Sequence, residues 1–171
     1  MNKDELLKIY SAYLPYDLEF EAFGRRGKIN EIQLKPDFVL GLDIDSHVRH
    51  FYPDSGLPIL YDLSYLTKEI EHEGKKITPI VELAKLGTGE QECGVTNGNL
   101  GTCYVNAKNE KKGFFIYHPE GYFIWQVGKN AEPMIVKNQL KLFQKLLEWH
   151  FNIFSLPESE YINKATLTQK Q

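Results

Sequence analysis

The sequence lacks long apolar runs and long blocks of like charge. No stretch approaches the roughly 18 apolar residues that a membrane-spanning helix needs, and the N-terminal residues form an amphipathic pattern rather than a signal peptide. The 20 basic and 23 acidic residues give a formal net charge of −3, which disfavours broad, charge-driven binding to nucleic acid or anionic membranes. We therefore expect a cytoplasmic protein.

Cysteine is also scarce, since only Cys93 and Cys103 are present. In the cytoplasm both side chains are expected to be reduced thiols, although their spacing leaves open whether they pair. The spacing is not that of a zinc site. It does not identify a histidine base for a catalytic thiol either, because such partners meet only in space.

The bulk composition predicts an ordinary folded domain. A chain of 171 residues with 42% hydrophobic and 25% charged residues can bury a core without disulfides or metals. We predict one domain over residues 1–160 and a C-terminal tail over residues 161–171. The predicted fold class is α+β, with a mainly antiparallel sheet of hairpins packed against an N-terminal and a long C-terminal helix.

Local signals place most elements of the N-terminal half. Asn2 and Glu5 form a capping-box pattern that begins a helix, and Pro15 ends it. The other predictions are a hairpin over residues 18–34 turning at Gly24–Gly27, strands at 38–40 and 48–52, a helical turn at 61–66, a hairpin at 70–77 turning at Glu73 and Gly74, and a helix from Thr78 and Pro79 to Gly87.

In the C-terminal half we predict a long glycine-rich loop over residues 87–101, a hairpin of residues 114–117 and 122–127, and a helix over residues 137–154. The apolar arc of this helix spans roughly 200°, about twice that of a helix lying on one core. Leu142, Leu146, Trp149 and Ile153 form one side of the arc. They are either covered within the monomer or available to a partner chain.

One polar cluster contains residues that could bind a metal. Asp43, Asp45, His47, His50 and Asp54 combine carboxylate and imidazole groups, which hard cations and transition metals respectively prefer. The glycine and distal glutamate of a calcium loop are absent, and the two histidines lack zinc-peptidase spacing. On a strand they also point to opposite faces. A polar turn is therefore expected, with no metal or other cofactor.

Other motifs give no catalytic or nucleic-acid site. Gly89-x-x-x-x-Gly94 has the glycine spacing of a phosphate loop, but Val95 replaces the lysine and two glutamates would repel phosphate. Residues 112–117 are similar to the base-stacking strand of RNA-recognition domains, except that Phe115 stands where a small residue belongs. The basic cluster of Lys108, Lys111 and Lys112 is balanced by Glu110. No serine nucleophile elbow is present, so we do not predict an enzyme.

Three segments together resemble a family of small phage and prophage proteins of Bacteroidetes-type bacteria. They are the Leu14-Pro15-Tyr16 turn, the Leu66-Thr67-Lys68-Glu69-Ile70 segment and the closing Glu148-Trp149-His150-Phe151 helix. The family carries no established catalytic residues, so no residue role is transferred. The resemblance implies an accessory gene of a mobile element, expressed in a bacterial cytoplasm.

From this origin we expect a non-enzymatic protein that binds a host protein, such as an anti-CRISPR-like inhibitor of an RNA-guided defence nuclease. The expected contact surfaces are the glycine-rich loop, the aromatic hairpin and any exposed half of the last helix. The predicted partner-binding residues are Glu90, Glu92, Asn97, Asn99, Leu142, Leu146 and Trp149. Two alternatives remain: a metal-dependent enzyme using Asp43, Asp45, His47 and Asp54, and a self-associating structural phage protein. The oligomeric state is left open.

Overall fold

A computed structural model describes residues 2–96, 101–106, 112–128 and 131–167 of the chain. The fold is mixed α+β and its sheets are mostly antiparallel, which confirms the predicted class. The long C-terminal helix of that prediction is not confirmed, because the helices near the C-terminus are short.

The chain contains four α-helices and thirteen strands in the described residues. Helices α1 to α4 span Lys3–Tyr13, Pro79–Thr88, Gln139–Glu148 and Lys164–Leu167. Strands β1 to β13 span Glu19–Ala22, Arg25–Gln33, Val39–Ile44, His47–Phe51, Gly56–Leu60, Ile70–His72, Lys75–Ile77, Cys93–Val95, Thr102–Asn106, Lys112–His118, Tyr122–Val127, Met134–Ile135 and Ile162–Asn163.

The chain forms two compact units. The first contains Met1–Asp62 and Leu147–Gln171, and the second contains Leu63–Leu146. The second unit is therefore an insertion in the sequence of the first. The composition predicts one domain over residues 1–160, and no local sequence signal at residue 62 or 147 marks a boundary.

The first unit contains a six-stranded sheet in the order β13-β5-β1-β2-β3-β4. All its pairs are antiparallel except β13 with β5. The predicted first hairpin is confirmed, but its two-residue turn is Phe23-Gly24 rather than Gly24–Gly27. Both turn residues have positive φ, the geometry of turns whose twist matches that of the strands they join.

This sheet is strongly curled around its core. Strands β4 and β5 are connected by only four residues although three strands separate them in the sheet. The rings of Phe51 at the end of β4 and Phe23 after β1 lie 6.4 Å apart. The buried side chains inside the unit include Tyr13, Leu18, Phe20, Ile29, Leu40 and Leu42.

Helix α1 begins and ends as predicted. The Asn2 side chain accepts from Glu5 N and the Glu5 side chain accepts from Asn2 N, each at 2.9 Å. A 3₁₀ turn over Leu14–Tyr16, with Pro15 in its first turn, follows the helix. The helix covers the core with Ile9, Tyr10 and Tyr13.

The second unit contains a five-stranded antiparallel sheet in the order β12-β11-β10-β9-β8. The predicted 114–127 hairpin lies at its centre as β10 and β11, and the predicted 70–77 hairpin forms β6 and β7. Part of the predicted 87–101 loop is strand β8, which pairs with β9. Helix α2 extends past Gly87 and is terminated by Gly89, whose φ is 78°.

The predicted 137–154 helix is wrong beyond Glu148. His150 has a φ of 60°, which no α-helix accommodates. Phe151 instead forms a parallel bridge with Tyr61, and Asn152 N donates to Tyr61 O at 2.9 Å. Phe151 is therefore buried in a segment that pairs with Tyr61, next to the end of β5, and not on the face of a helix.

The segment 161–167, which the sequence assigns to a tail, is part of the first unit. Ile162 and Asn163 pair with Ile59 and Leu60 of β5. Tyr161 is buried, and its hydroxyl donates to Asp62 Oδ2 at 3.2 Å. Residues 168–171 lie outside the described part of the chain.

Candidate interaction surface

The helix residues predicted to bind a partner are core residues. Leu142, Leu146 and Trp149 are 0%, 0% and 6% exposed, and Ile153 is half-buried. A partner could reach the first three side chains only if the structure opened. Leu142, Leu146 and Trp149 are therefore covered within the monomer.

The loop residues of the prediction lie near strand β8. Glu90 is half-buried and Glu92 is exposed, and both precede Cys93 at the start of the strand. Asn97 and Asn99 lie outside the described residues. The two glutamates therefore border the five-stranded sheet at its β8 edge.

The polar cluster of the first unit is an exposed hairpin. Asp43, Asp45, His47 and Asp54 are all exposed, and Asp45 occupies the turn between β3 and β4 with positive φ. The His47 ring bonds to Asp45 O at 2.8 Å. Within the described residues, no group of three or more His, Cys, Asp or Glu side chains is arranged to hold a metal ion.

Helices cover one face of the five-stranded sheet. The face that carries Phe115, Phe123 and Cys103 is the core face, and all three side chains are buried. The Phe123 ring packs against Phe143 of α3 at 5.6 Å between centroids. A Cβ on Gly87 of α2 would meet the Phe115 ring at 2.6 Å. Helices α2 and α3 therefore pack on this face.

The opposite face is the candidate site. Successive strand residues point to opposite sides, so the register places Ile116, Ile124 and Ile135 in one row across β10, β11 and β12, and Tyr104 beside Phe114 in the next row. We call these five residues the aromatic face. Ile135 is 68% exposed and Tyr104 is 40% exposed, whereas the other three are half-buried.

Neighbouring residues extend the aromatic face. The ring of Tyr104 lies over Gly94 of β8, where a Cβ would meet the hydroxyl oxygen at 2.5 Å, so a side chain at position 94 would displace the ring. At the other end His118 and Tyr122 stack with centroids 4.4 Å apart. The register also places Lys112, at the start of β10 opposite Asn106, on this side of the sheet. None of the other side chains described on this side belongs to Asp, Glu, Lys or Arg.

This geometry also settles how the RNA-like strand is used. Alternate residues Phe115 and Tyr117 point to the core face, where Phe115 is fully buried, so Phe115 cannot stack on a base. Phe114 and Ile116 of the strand belong to the aromatic face, and Lys112 and His118 lie on the same side. Of the predicted basic cluster, Lys108 and Lys111 lie outside the described residues, and Lys112 is the first residue of β10, opposite Asn106.

A buried polar network in the first unit is the strongest alternative site. His150 Nε2 lies 2.6 Å from Tyr16 O, and its Nδ1 lies 3.3 Å from Lys164 Nζ. Lys164 also pairs with Glu19 at 3.3 Å. A charged lysine can only donate, so Nδ1 accepts and Nε2 donates to the carbonyl. Both ring nitrogens are thus engaged, an arrangement that connects three chain segments.

The first unit also contains an open cleft of about 300 Å³ between α1 and residues 154–160. Its walls include Phe154 and Leu156, and its polar groups include Glu5, Lys8 and Glu160. Glu5 already accepts the capping bond from Asn2. The described groups of this cleft form no nucleophile and base pair, so we assign no reaction to it.

The aromatic face was only partly visible in the sequence. The apolar side chains on both faces of the 114–127 hairpin indicate a central pair of strands, but they do not indicate which face of the sheet the helices cover. The exposed ends of the face, Tyr104 and Ile135, are set by strand pairings that only the register shows.

No helix in the described ranges is both long and apolar enough to cross a membrane. No protein-family model, no curated protein and no solved structure matches this chain.

Proposed function

We propose that this chain is a non-enzymatic phage or prophage accessory protein that binds a protein of its bacterial host through the aromatic face. The observation that carries the proposal is a row of apolar and aromatic side chains on the side of the sheet opposite its helices. Aromatic side chains are enriched at protein interfaces, and charged residues are depleted at interface cores.

The chemistry of the face favours a protein over a nucleic acid. Binding to nucleic acid depends on several lysine and arginine contacts to phosphates. The five residues of the aromatic face include no such residue, and the register adds one lysine, Lys112, at the end of β10 on the same side. An apolar face with a tyrosine at its rim instead fits an apolar patch on a protein. Within this proposal, the partner is a defence protein such as a CRISPR RNA-guided nuclease, and the protein inhibits it in the host cytoplasm.

The chain offers a matched pair of variants to test the face. Met134 and Ile135 are adjacent in β12, point to opposite sides of the sheet, and are 55% and 68% exposed. Ile135→Lys places a charge on the aromatic face, whereas Met134→Lys places the same charge on the other side. Because both side chains are exposed, both variants are expected to fold, which circular dichroism and thermal unfolding verify.

The experiment is affinity capture from a host lysate, followed by nuclease inhibition assays with any captured nuclease. A partner of this face is expected with the wild type and Met134→Lys, and is expected to be lost by at least tenfold with Ile135→Lys. Equal recovery with both variants would reject the aromatic face. Capture of no protein, or an Ile135→Lys-sensitive binding to a fluorescent single-stranded oligonucleotide, would reject the proposal of a protein partner.

A further inference from the structure

The two cysteines lie on neighbouring strands and on the same side of the sheet. Cys93 of β8 is opposite Val105, and Cys103 of β9 is opposite Val95. The two cysteines are therefore diagonal neighbours, at the spacing of about 7–8 Å that diagonal pairs have in antiparallel sheets. Both are free thiols in the structure.

The two thiols are also in electrostatic contact. Cys93 Sγ donates to Glu90 O at 3.7 Å and Cys103 Sγ donates to Tyr104 O at 3.4 Å. In addition, each thiol is close enough to influence the pKa of the other. Cys93 is partly exposed whereas Cys103 is fully buried, so a soluble reagent can reach only Cys93.

The position of strand β8 allows the small shift that a disulfide between Cys93 and Cys103 requires. A disulfide requires Cα atoms closer than about 7 Å, which a diagonal pair reaches after a shift of roughly an ångström. Strand β8 has three residues, lies at the end of the sheet and contains Gly94. Such an edge strand can shift without disturbing the central strands.

We infer that Cys93 and Cys103 are a redox pair that a low-molecular-weight disulfide, such as oxidised glutathione, converts to an internal disulfide. The Cys93 thiolate attacks one glutathione sulfur, and one glutathione thiolate leaves. Cys103 loses its proton to solvent, its sulfur attacks Cys93 Sγ in the mixed disulfide, and the second glutathione thiolate leaves. Two protein thiols are oxidised, and one oxidised glutathione is reduced to two thiols.

Burial sets the rate of this exchange. It raises the pKa of the Cys93 thiol, and it raises the pKa of Cys103 to about 12. Because the thiolate is the attacking species, the second step is expected to be slow at neutral pH and faster at alkaline pH. The disulfide would tie β8 to β9 beneath Tyr104 of the aromatic face.

The test treats the full chain with oxidised glutathione and follows its intact mass and its non-reducing peptide map. The wild type is expected to lose two hydrogens and to yield a linked Cys93–Cys103 peptide, and a dithiol reductant is expected to reverse both changes. Cys103→Ala is expected to stop at a glutathione adduct on Cys93. Cys93→Ala is expected to remain unmodified, because Cys103 is buried.

Three results would overturn the inference. One is a wild type that retains the adduct on Cys93 at alkaline pH without forming the internal bond. Another is oxidation that yields only dimers linked between chains. The third is modification of Cys103 in folded Cys93→Ala at the rate seen for Cys93, since this would show that burial does not order the two steps.

Discussion

At the scale of single residues, Tyr13 shows how one buried hydroxyl connects distant parts of the first unit. It is fully buried, and its hydroxyl donates to the main-chain carbonyl of Phe151. Its ring also packs edge-on against Phe154 at 5.9 Å. The hydroxyl thereby connects the end of α1 to the irregular segment that follows α3.

We predict that Tyr13→Phe lowers the free energy of unfolding by about 1–2 kcal/mol at neutral pH, because a buried hydrogen bond is lost while the ring remains. Burial raises the pKa of Tyr13 above its ordinary value. The stabilisation is therefore complete below about pH 10 and is lost as the pH rises, since the unfolded chain ionises first.

The measurement is urea denaturation of both proteins across this alkaline range. Phenylalanine cannot ionise, so the stability of Tyr13→Phe should fall less steeply with pH, and the gap between the two proteins should narrow. Tyr10, whose pKa is also raised by burial, is present in both proteins and cancels. A gap that stays constant above about pH 10 would contradict the assignment.

At the scale of elements, local backbone chemistry was predictable and long-range pairing was not. The capping box of Asn2 and the turn at Glu73 and Gly74 depend on residues within four positions, and both were predicted correctly. The end of α2 was misplaced because Gly87 and Gly89 are both plausible terminators. Only Gly89 has the left-handed φ, and the local sequence pattern does not indicate which glycine adopts it.

The end of α3 shows the same limit at larger distance. Apolar periodicity continues to Phe154, but His150 leaves helical geometry while its ring bonds to Tyr16 O and Lys164. Those partners lie 134 and 14 residues away. In the candidate site, the two hairpin strands were predictable from the sequence. The exposure of Ile135, like the burial of Leu142 in α3, depends on tertiary packing, which the periodicity of apolar residues does not indicate.

The C-terminal element supports a second prediction, the deletion of residues 161–171. This deletion removes the β13 pairing with β5, the Tyr161 bond to Asp62 and the Lys164 pair with Glu19. It also removes the buried Ala165. We expect a loss of about 3 kcal/mol or more, from several hydrogen bonds and buried apolar area.

Urea denaturation followed by Trp149 fluorescence measures this loss in the first unit. The matched control is deletion of residues 168–171, which removes none of these contacts and should leave the midpoint nearly unchanged. If the two truncated proteins unfold at the same urea concentration, residues 161–167 contribute no stability and behave as the tail that the sequence alone predicts.

At the scale of the whole molecule, the two units carry different charge. The first contains nine basic and fourteen acidic residues, a net −5, and the second contains eleven basic and nine acidic residues, a net +2. These values sum to the −3 of the chain. The small net charge of the chain is therefore the sum of an acidic first unit and a weakly basic second unit. The aromatic face belongs to the second unit.

Each unit also contains one of the two tryptophans, Trp149 in the first and Trp125 in the second. Fluorescence of Trp125→Phe therefore reports on the first unit, and fluorescence of Trp149→Phe reports on the second. Leu42 and Leu83 are fully buried, one in each unit. Replacing such a leucine by alanine costs about 2–5 kcal/mol, so each substitution can be directed at one unit.

We predict that Leu42→Ala lowers the urea midpoint reported by Trp149 more than the midpoint reported by Trp125, and that Leu83→Ala does the reverse. The reason is that each compact unit has its own buried contacts, which unfold as a group. If both substitutions shift both reporters equally, the 171 residues unfold as one cooperative body. In that case the acidic unit and the unit with the aromatic face could not be separated for binding experiments.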